Sequence, residues 1–187
     1  MTSLSICVYC ASGTDDPSCL ELAAELGTAI GRRGWRLVSG GGNVSMMGVL
    51  AESARVAGAH TIGVIPKQLV HREVADTEAD ELVVTDTMRQ RKQIMEDRAD
   101  AFIALPGGIG TLEELFETWT AGYLGMHAKP VVLLDPIGHY DGLLDWLDGL
   151  RTRGFVGSGA LDRLIRTTEV EAALDACAAA AAGGNRG

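Results

Sequence analysis

The chain reads as an open, doubly wound α/β domain of the Rossmann-like class with a parallel sheet, and three observations point there. Short apolar runs alternate with helical patterns of about ten or more residues along the whole sequence. Those runs are apolar on both faces, as strands must be when helices cover both sides of a parallel sheet. Two clusters of glycine fall directly after such runs, at the carboxyl ends of strands where ligands of this architecture sit. A length of 187 residues with 47% hydrophobic positions is enough for one domain with its own core.

The elements follow in order. Residues 4–9 form the first β-like run, and a helical stretch near 17–33 begins at Pro17. A second run at 35–38 ends in Ser39-Gly40-Gly41-Gly42, and a helix is expected over 45–57. The third strand, 60–65, stops at Pro66; residues 66–80 are polar and irregular, and a short strand is expected at 82–85. A helix at 87–98 leads to a buried-type strand at 101–105 that ends at Pro106, with a further helix at 111–124. Strand 131–134, helix 140–150, a short strand at 164–166 and a helix at 169–179 complete the pattern. There is no internal repeat and no domain linker, and the Ala- and Gly-rich end suggests a frayed helix and a loose tail.

Composition narrows the function. A formal net charge of -9 argues against a broad surface for nucleic-acid polymers or anionic membranes, which would need a basic footprint. It leaves room for a small anion held by a few cations in one cleft. Cys7, Cys10, Cys19 and Cys177 are too few for a disulfide framework in a chain this long, and the single C-x-x-C at Cys7 and Cys10 lacks the second pair of a structural zinc site. The start shows no signal peptide and no run approaches a bilayer span, so the expected compartment is the cytoplasm.

Pro106-Gly107-Gly108-Ile109-Gly110-Thr111-Leu112-Glu113-Glu114 is the most informative stretch. The glycines allow a tight turn and close approach of a ligand, Thr111 is a good capping type, and free N–H groups at a helix start hold phosphate. A tight strand–helix turn without ligand is the plainer alternative. The dinucleotide fingerprint fails because Glu113 stands at its third glycine, although Asp135 keeps a ribose contact conceivable; no Walker lysine follows either. The cluster around Gly41 and Gly42, after the second strand, repeats the logic, and two such loops would hold the two ends of one nucleotide.

Met88, Arg91, Ile94 and Met95 share one helix face, which puts an arginine on the inward side, and Arg98 continues that stripe. A buried arginine must meet an anion, either a ligand or an internal carboxylate. Lys92 adds to this basic knot in an acidic chain, and an anionic substrate follows. Glu113, Glu114 and Glu117 open the next helix, where acidic residues often serve only the helix dipole. The apolar stripe of Leu112, Leu115, Phe116, Trp119 and Tyr123 leaves Glu114 roughly opposite, and periodicity alone does not choose among the three glutamates.

These residues resemble a known family. P-G-G-x-G-T-x-x-E at 106–114, preceded by M-x-x-R-K at 88–92, is similar to the cytokinin riboside 5'-monophosphate phosphoribohydrolases, the Lonely Guy family, long mislabelled as lysine decarboxylases. The resemblance extends from Val8-Tyr9-Cys10-Ala11-Ser12 to Lys129-Pro130 and covers about residues 4–150. It implies hydrolysis of the N-glycosidic bond of an adenine-type nucleoside 5'-monophosphate, giving free base and ribose 5-phosphate. Carried over by position, Arg91 and Glu114 match the catalytic pair. The turn of Gly107, Gly108, Ile109, Gly110, Thr111, Leu112 and Glu113 matches the phosphate-contacting segment, and Lys92, Thr120 and Glu73 match further substrate contacts. His71 stands where the family usually has proline, Arg89 where many relatives have histidine and Ala11 where many have glycine.

With no linker and a loose Ala- and Gly-rich end, one Rossmann-like nucleotide-hydrolase domain is expected over 1–179 with a flexible tail over 180–187; the resemblance further implies no cofactor, no metal and a homodimer. The residues agree on metal and cofactor: four histidines form no H-x-x-x-H, and none of Lys67, Lys92 and Lys129 has an obvious pyridoxal-site context. The stripe of Met88, Arg91, Ile94 and Met95 offers a face for a partner subunit. A non-catalytic nucleotide-binding module remains the alternative reading.

Overall fold

The computed structural model describes residues 3–183. These form a seven-stranded sheet in the order β4-β3-β2-β1-β5-β6-β7, with every neighbouring pair parallel. The strands are β1 (Ser5–Tyr9), β2 (Arg36–Ser39), β3 (His60–Pro66), β4 (Glu81–Thr85), β5 (Ala101–Ala104), β6 (Val131–Leu134) and β7 (Leu164–Thr167). The helices are α1 (Pro17–Arg32), α2 (Ser45–Val56), α3 (Met88–Arg98), α4 (Ile109–Tyr123), α5 (Asp141–Thr152), α6 (Ser158–Leu161) and α7 (Val170–Gly183). The doubly wound class expected from the sequence is what the chain adopts.

Strict alternation along the central strands divides the core in two. Ile6, Val8, Leu37, Ala101, Ile103, Val132 and Leu134 face one layer, against α1, α2 and α7. Cys7, Tyr9, Val38, Phe102, Ala104, Val131 and Leu133 face the other, against α3, α4 and α5. Burying each large apolar side chain contributes about 1.5–3 kcal/mol, which is why strands this short suffice. All four cysteines are buried free thiols within these layers.

Local sequence sets the helix starts. Asp16 caps α1 by accepting from the Ser18 N–H, with Pro17 at the first helical position. Thr87 and Gln90 close a capping box on α3. Three boundaries differ from the sequence reading. Helix α4 begins at Ile109 with Gly108 as its cap position, so Thr111 lies buried in the first turn and is not the cap. The short α6 breaks a stretch with no period to reveal it. Helix α7 continues past residue 179 to Gly183, and residues 184–187 of the expected tail lie outside the described residues.

The strand order reverses between β1 and β5: the chain builds β2, β3 and β4 outward on one side, then returns to place β5, β6 and β7 on the other. Loops diverge there above the carboxyl ends of the strands and leave a crevice, the site of choice for a ligand.

Candidate active site

A cavity of about 620 Å³ occupies that crevice. One wall is the β1–α1 loop, Cys10 through Thr14; the opposite wall is the turn from Pro106 to Thr111 at the start of α4. Its floor carries charge: Glu73, Arg91 and Glu114.

Arg91 is the buried cation anticipated from helix spacing, with 5% of its surface exposed. The capping box fixes the register of α3, and the side chain then runs inward beneath two strand ends. Its Nε donates to the Val64 carbonyl at 3.0 Å and its Nη2 to the Gly40 carbonyl at 2.9 Å. Two carboxylates approach without closing: Glu73 Oε2 lies 3.7 Å from Nη2, and Glu114 Oε1 lies 3.9 Å from Nη1. Both separations exceed a direct hydrogen bond, so one guanidinium faces two carboxylates with hydrogen-bonding capacity left over. Glu73 Oε2 is buried and has no hydrogen-bond partner among the described residues. A buried polar atom left open in this way is an invitation to a ligand.

Structure separates the three glutamates that periodicity did not. Glu113 and Glu117 are half exposed and both pair with Lys92, the latter at 2.6 Å. Glu114 has only 12% of its side chain exposed and lines the cavity. Burial pushes its carboxyl up to about 7; Arg91 pulls it back while Glu113 and Glu73 add to the rise. Lys92 behaves differently: burial would lower its ammonium, but hydrogen bonds to Glu113 and Glu117 outweigh this and hold it above its usual range.

The glycine loops serve distinct ends. The Gly107-Gly108-Ile109-Gly110-Thr111 turn lines the cavity directly, and no side chain caps the α4 start, leaving its first amides open to an anion. A Cβ on Gly107 would lie 2.1 Å from Thr111 Oγ1, so the turn tolerates no side chain there. Gly41 and Gly42 do not reach the cavity. They bind the segment that carries Glu73: the Gly41 carbonyl accepts from the Asp76 N–H at 2.9 Å, and Gly42 bridges Ala75. That segment bends through Val74 at φ 48, a strained conformation for a β-branched residue.

Other expected site residues stand apart from the cavity of the single chain. Leu112 packs against the core layer under α4, Thr120 is exposed on its outer face, and Lys92 and Glu117 face an adjoining acidic groove. Glu113 spans the two, lining both that groove and the cavity. Asp135, weighed above for a ribose contact, accepts from the His139 and Tyr140 N–H groups at 3.0 and 2.7 Å and so organises its own loop. Sequence reading missed Ile137 and His139, which line the cavity from the β6–α5 connection. The rule that selected the other strand ends applies equally to this one.

Comparison with known proteins agrees with this geometry. A family model described as possible lysine decarboxylase matches residues 47–177. A cytokinin riboside 5'-monophosphate phosphoribohydrolase of Mycobacterium tuberculosis is 60% identical over 174 residues, covering 93% of each chain. One from Arabidopsis thaliana is 44% identical, covering 83% of this chain and 73% of its own. Among solved structures, the molybdenum cofactor binding protein of Rippkaea orientalis is similar at TM-score 0.70 and 28% identity, over 94% of this chain and 95% of that one. The Moco carrier protein of Chlamydomonas reinhardtii is similar at TM-score 0.71 and 25% identity, over 97% and 99% of the two chains. A relative 60% identical over 93% of each chain, and a family model whose match spans Arg91 and Glu114, settle the kinship: the chain belongs to the family of cytokinin riboside 5'-monophosphate phosphoribohydrolases, and the family model that matches it is described as possible lysine decarboxylase.

Proposed function

We propose that the protein hydrolyses the N-glycosidic bond of N6-modified or plain adenosine 5'-monophosphates, releasing the free base and ribose 5-phosphate. The observation that carries this reading is the buried set of Glu73, Arg91 and Glu114 beside an uncapped helix start, in one crevice. The open amides of α4 take the 5'-phosphate and place the ribose over the carboxylates. As the C1'–N9 bond breaks, its electron pair leaves with the base and positive charge grows on the sugar. Glu114 in its ionised form stabilises that charge and takes a proton from the attacking water, whose oxygen bonds to C1'. The departing base then takes up that proton from Glu114, which returns the carboxylate to its ionised form. Arg91 sets its charge beside both carboxylates, with hydrogen-bonding capacity left for the substrate. With a carboxyl near 7, Glu114 exchanges protons readily at neutral pH.

Two finer readings belong with this. The protein acts as a homodimer, a reading supported by exposed apolar residues Leu124 and Met126, which line a groove together with Thr120. It works in the cytoplasm, where four buried free thiols are at home.

The test is incubation with N6-isopentenyl-AMP and with AMP, followed by chromatography for base and ribose 5-phosphate. Absence of base release from every purine monophosphate tried, with folded protein, overturns the proposal. The likeness to carrier proteins favours a second reading, a module that binds its phosphorylated ligand without turnover. Glu114→Gln separates them, since only an enzyme loses a reaction by that change.

A further inference from the structure

The turn that faces the phosphate is made almost wholly of backbone, and backbone has two faces. Each peptide offers an N–H that attracts an anion and a C=O that repels it. In a Gly-Gly pair such as Gly107-Gly108 the peptide flips at little steric cost. Something must therefore hold the carbonyl side away.

Three consecutive carbonyls at the end of β5 each have a donor from elsewhere. Tyr140 Oη donates to the Leu105 carbonyl at 2.7 Å, the Ala11 N–H to the Pro106 carbonyl at 3.3 Å, and the His139 Nε2 to the Gly107 carbonyl at 2.9 Å. A carbonyl only accepts, so Nε2 carries the proton in that bond. The Gly108 N–H belongs to the same peptide as the Gly107 carbonyl and lies on its opposite side. It has no hydrogen-bond partner among the described residues, and Gly108 lines the cavity.

Asp135 fixes the two side-chain donors. Its carboxylate oxygens accept from the His139 and Tyr140 amides, and the two rings meet edge to face with centroids 4.7 Å apart. Tyr140 is buried, whereas His139 stands exposed at the cavity rim.

We propose that His139 is a positioning residue for phosphate binding: its Nε2–H locks the Gly107–Gly108 peptide so that the Gly108 amide and the α4 amides face the ligand's phosphate. Asp135 orients it for this. The proposal rests on the reading of the cavity as a phosphate site, but its test does not require turnover.

The experiment measures ribose 5-phosphate binding by calorimetry and AMP hydrolysis for wild type, His139→Phe and His139→Gln. Phenylalanine keeps the ring against Tyr140 and removes the donor; glutamine keeps a donor. His139→Phe weakens ribose 5-phosphate binding by roughly five- to tenfold, the worth of one lost hydrogen-bonded constraint, with the loss in hydrolysis falling on KM more than on kcat. His139→Gln recovers a large part of the affinity, and neither change shifts adenosine binding. Unchanged phosphate affinity in His139→Phe, or equal losses for adenosine and ribose 5-phosphate, overturns the proposal. Wild type that binds ribose 5-phosphate but hydrolyses no nucleotide defeats the enzyme reading alone, and the His139→Phe comparison still decides this one. Wild type that binds no phosphate defeats both.

Discussion

Arg91 Nη2 donates to the Gly40 carbonyl at 2.9 Å, and a Cβ on Gly40 would lie 2.0 Å from that same nitrogen. The glycine is there because the guanidinium passes directly over it. Gly40→Ala therefore displaces Arg91, and with it the spacing to Glu73 and Glu114. We expect hydrolysis to fall about 100-fold, as for a misplacement of about 1 Å in a catalytic group. Steady-state kinetics on AMP checks this, and near-wild-type turnover would show that Arg91 is not positionally critical.

Arg91 itself holds two carbonyls and two carboxylates in a buried place. Arg91→Ala removes the donor to both carbonyls and the cation that faces both carboxylates, so a loss of about 3 kcal/mol is expected in chemical denaturation. Arg91→Lys restores charge without the planar fork and recovers only part of that stability. A stability loss under about 1 kcal/mol for Arg91→Ala would mean that water replaces the guanidinium freely.

The raised Glu114 carboxyl gives a pH signature. Its ionised fraction grows as pH rises through about 7, so kcat/KM climbs below that value and levels off above it. Because Arg91 lowers this carboxyl, weakening Arg91 moves the acidic limb to higher pH. A flat profile between pH 5 and 8, once the substrate phosphate's own titration at about pH 6 is divided out, would be incompatible with Glu114 as the proton acceptor.

The same carboxyl sets a stability trade. Unfolded, it releases its proton near 4.5; folded, near 7. Between those values the folded state binds more protons, so stability falls as pH rises, and the deficit is complete above about 7. Glu114→Gln should therefore abolish turnover yet raise stability at pH 8 by up to about 3 kcal/mol, with little change at pH 4. Urea midpoints at the two pH values are the measurement; a destabilised variant at pH 8 contradicts it.

Val74 offers an independent check on the segment carrying Glu73. It holds φ 48 while half exposed, so little packing is lost on replacement. Val74→Asn should stabilise by about 1 kcal/mol, since asparagine enters the left-handed region readily. Thermal melting that shows no gain would place compensating contacts on the valine side chain.

Much of this was legible beforehand for identifiable reasons. Strands such as Val131–Leu134 are continuous apolar runs between helices, and only a parallel, covered sheet uses them. Arg91 shared the spacing of Met88 and Met95, and a charge on an apolar stripe has few innocent explanations. Glu114 could not be chosen over Glu113 and Glu117, because the choice depends on Lys92, carried by another helix, drawing those two outward. The strand-end rule could have flagged His139, but its role was hidden for a related reason: its partner is a backbone carbonyl 32 residues away, which leaves no mark on side-chain spacing. Thr111 misled because its type suits a cap, whereas tertiary packing under Gly107 drew it inside the helix.

The reversal of strand order at β1 and β5 also has a bearing on how the chain matures. Joining β1 to β5 ties residues 95 apart, as between Ser5 and Asp100, so this closure is among the slower steps a growing chain must make. Until it happens, Glu73 and Arg91 exist on a half-sheet with no turn opposite them. A nascent chain that has emerged only as far as α3 can thus bury most of its first layer and still have no place for a nucleotide. The crevice takes shape only when β5 docks with the start of α4, and its lining is complete only once the β6–α5 connection adds Ile137 and His139.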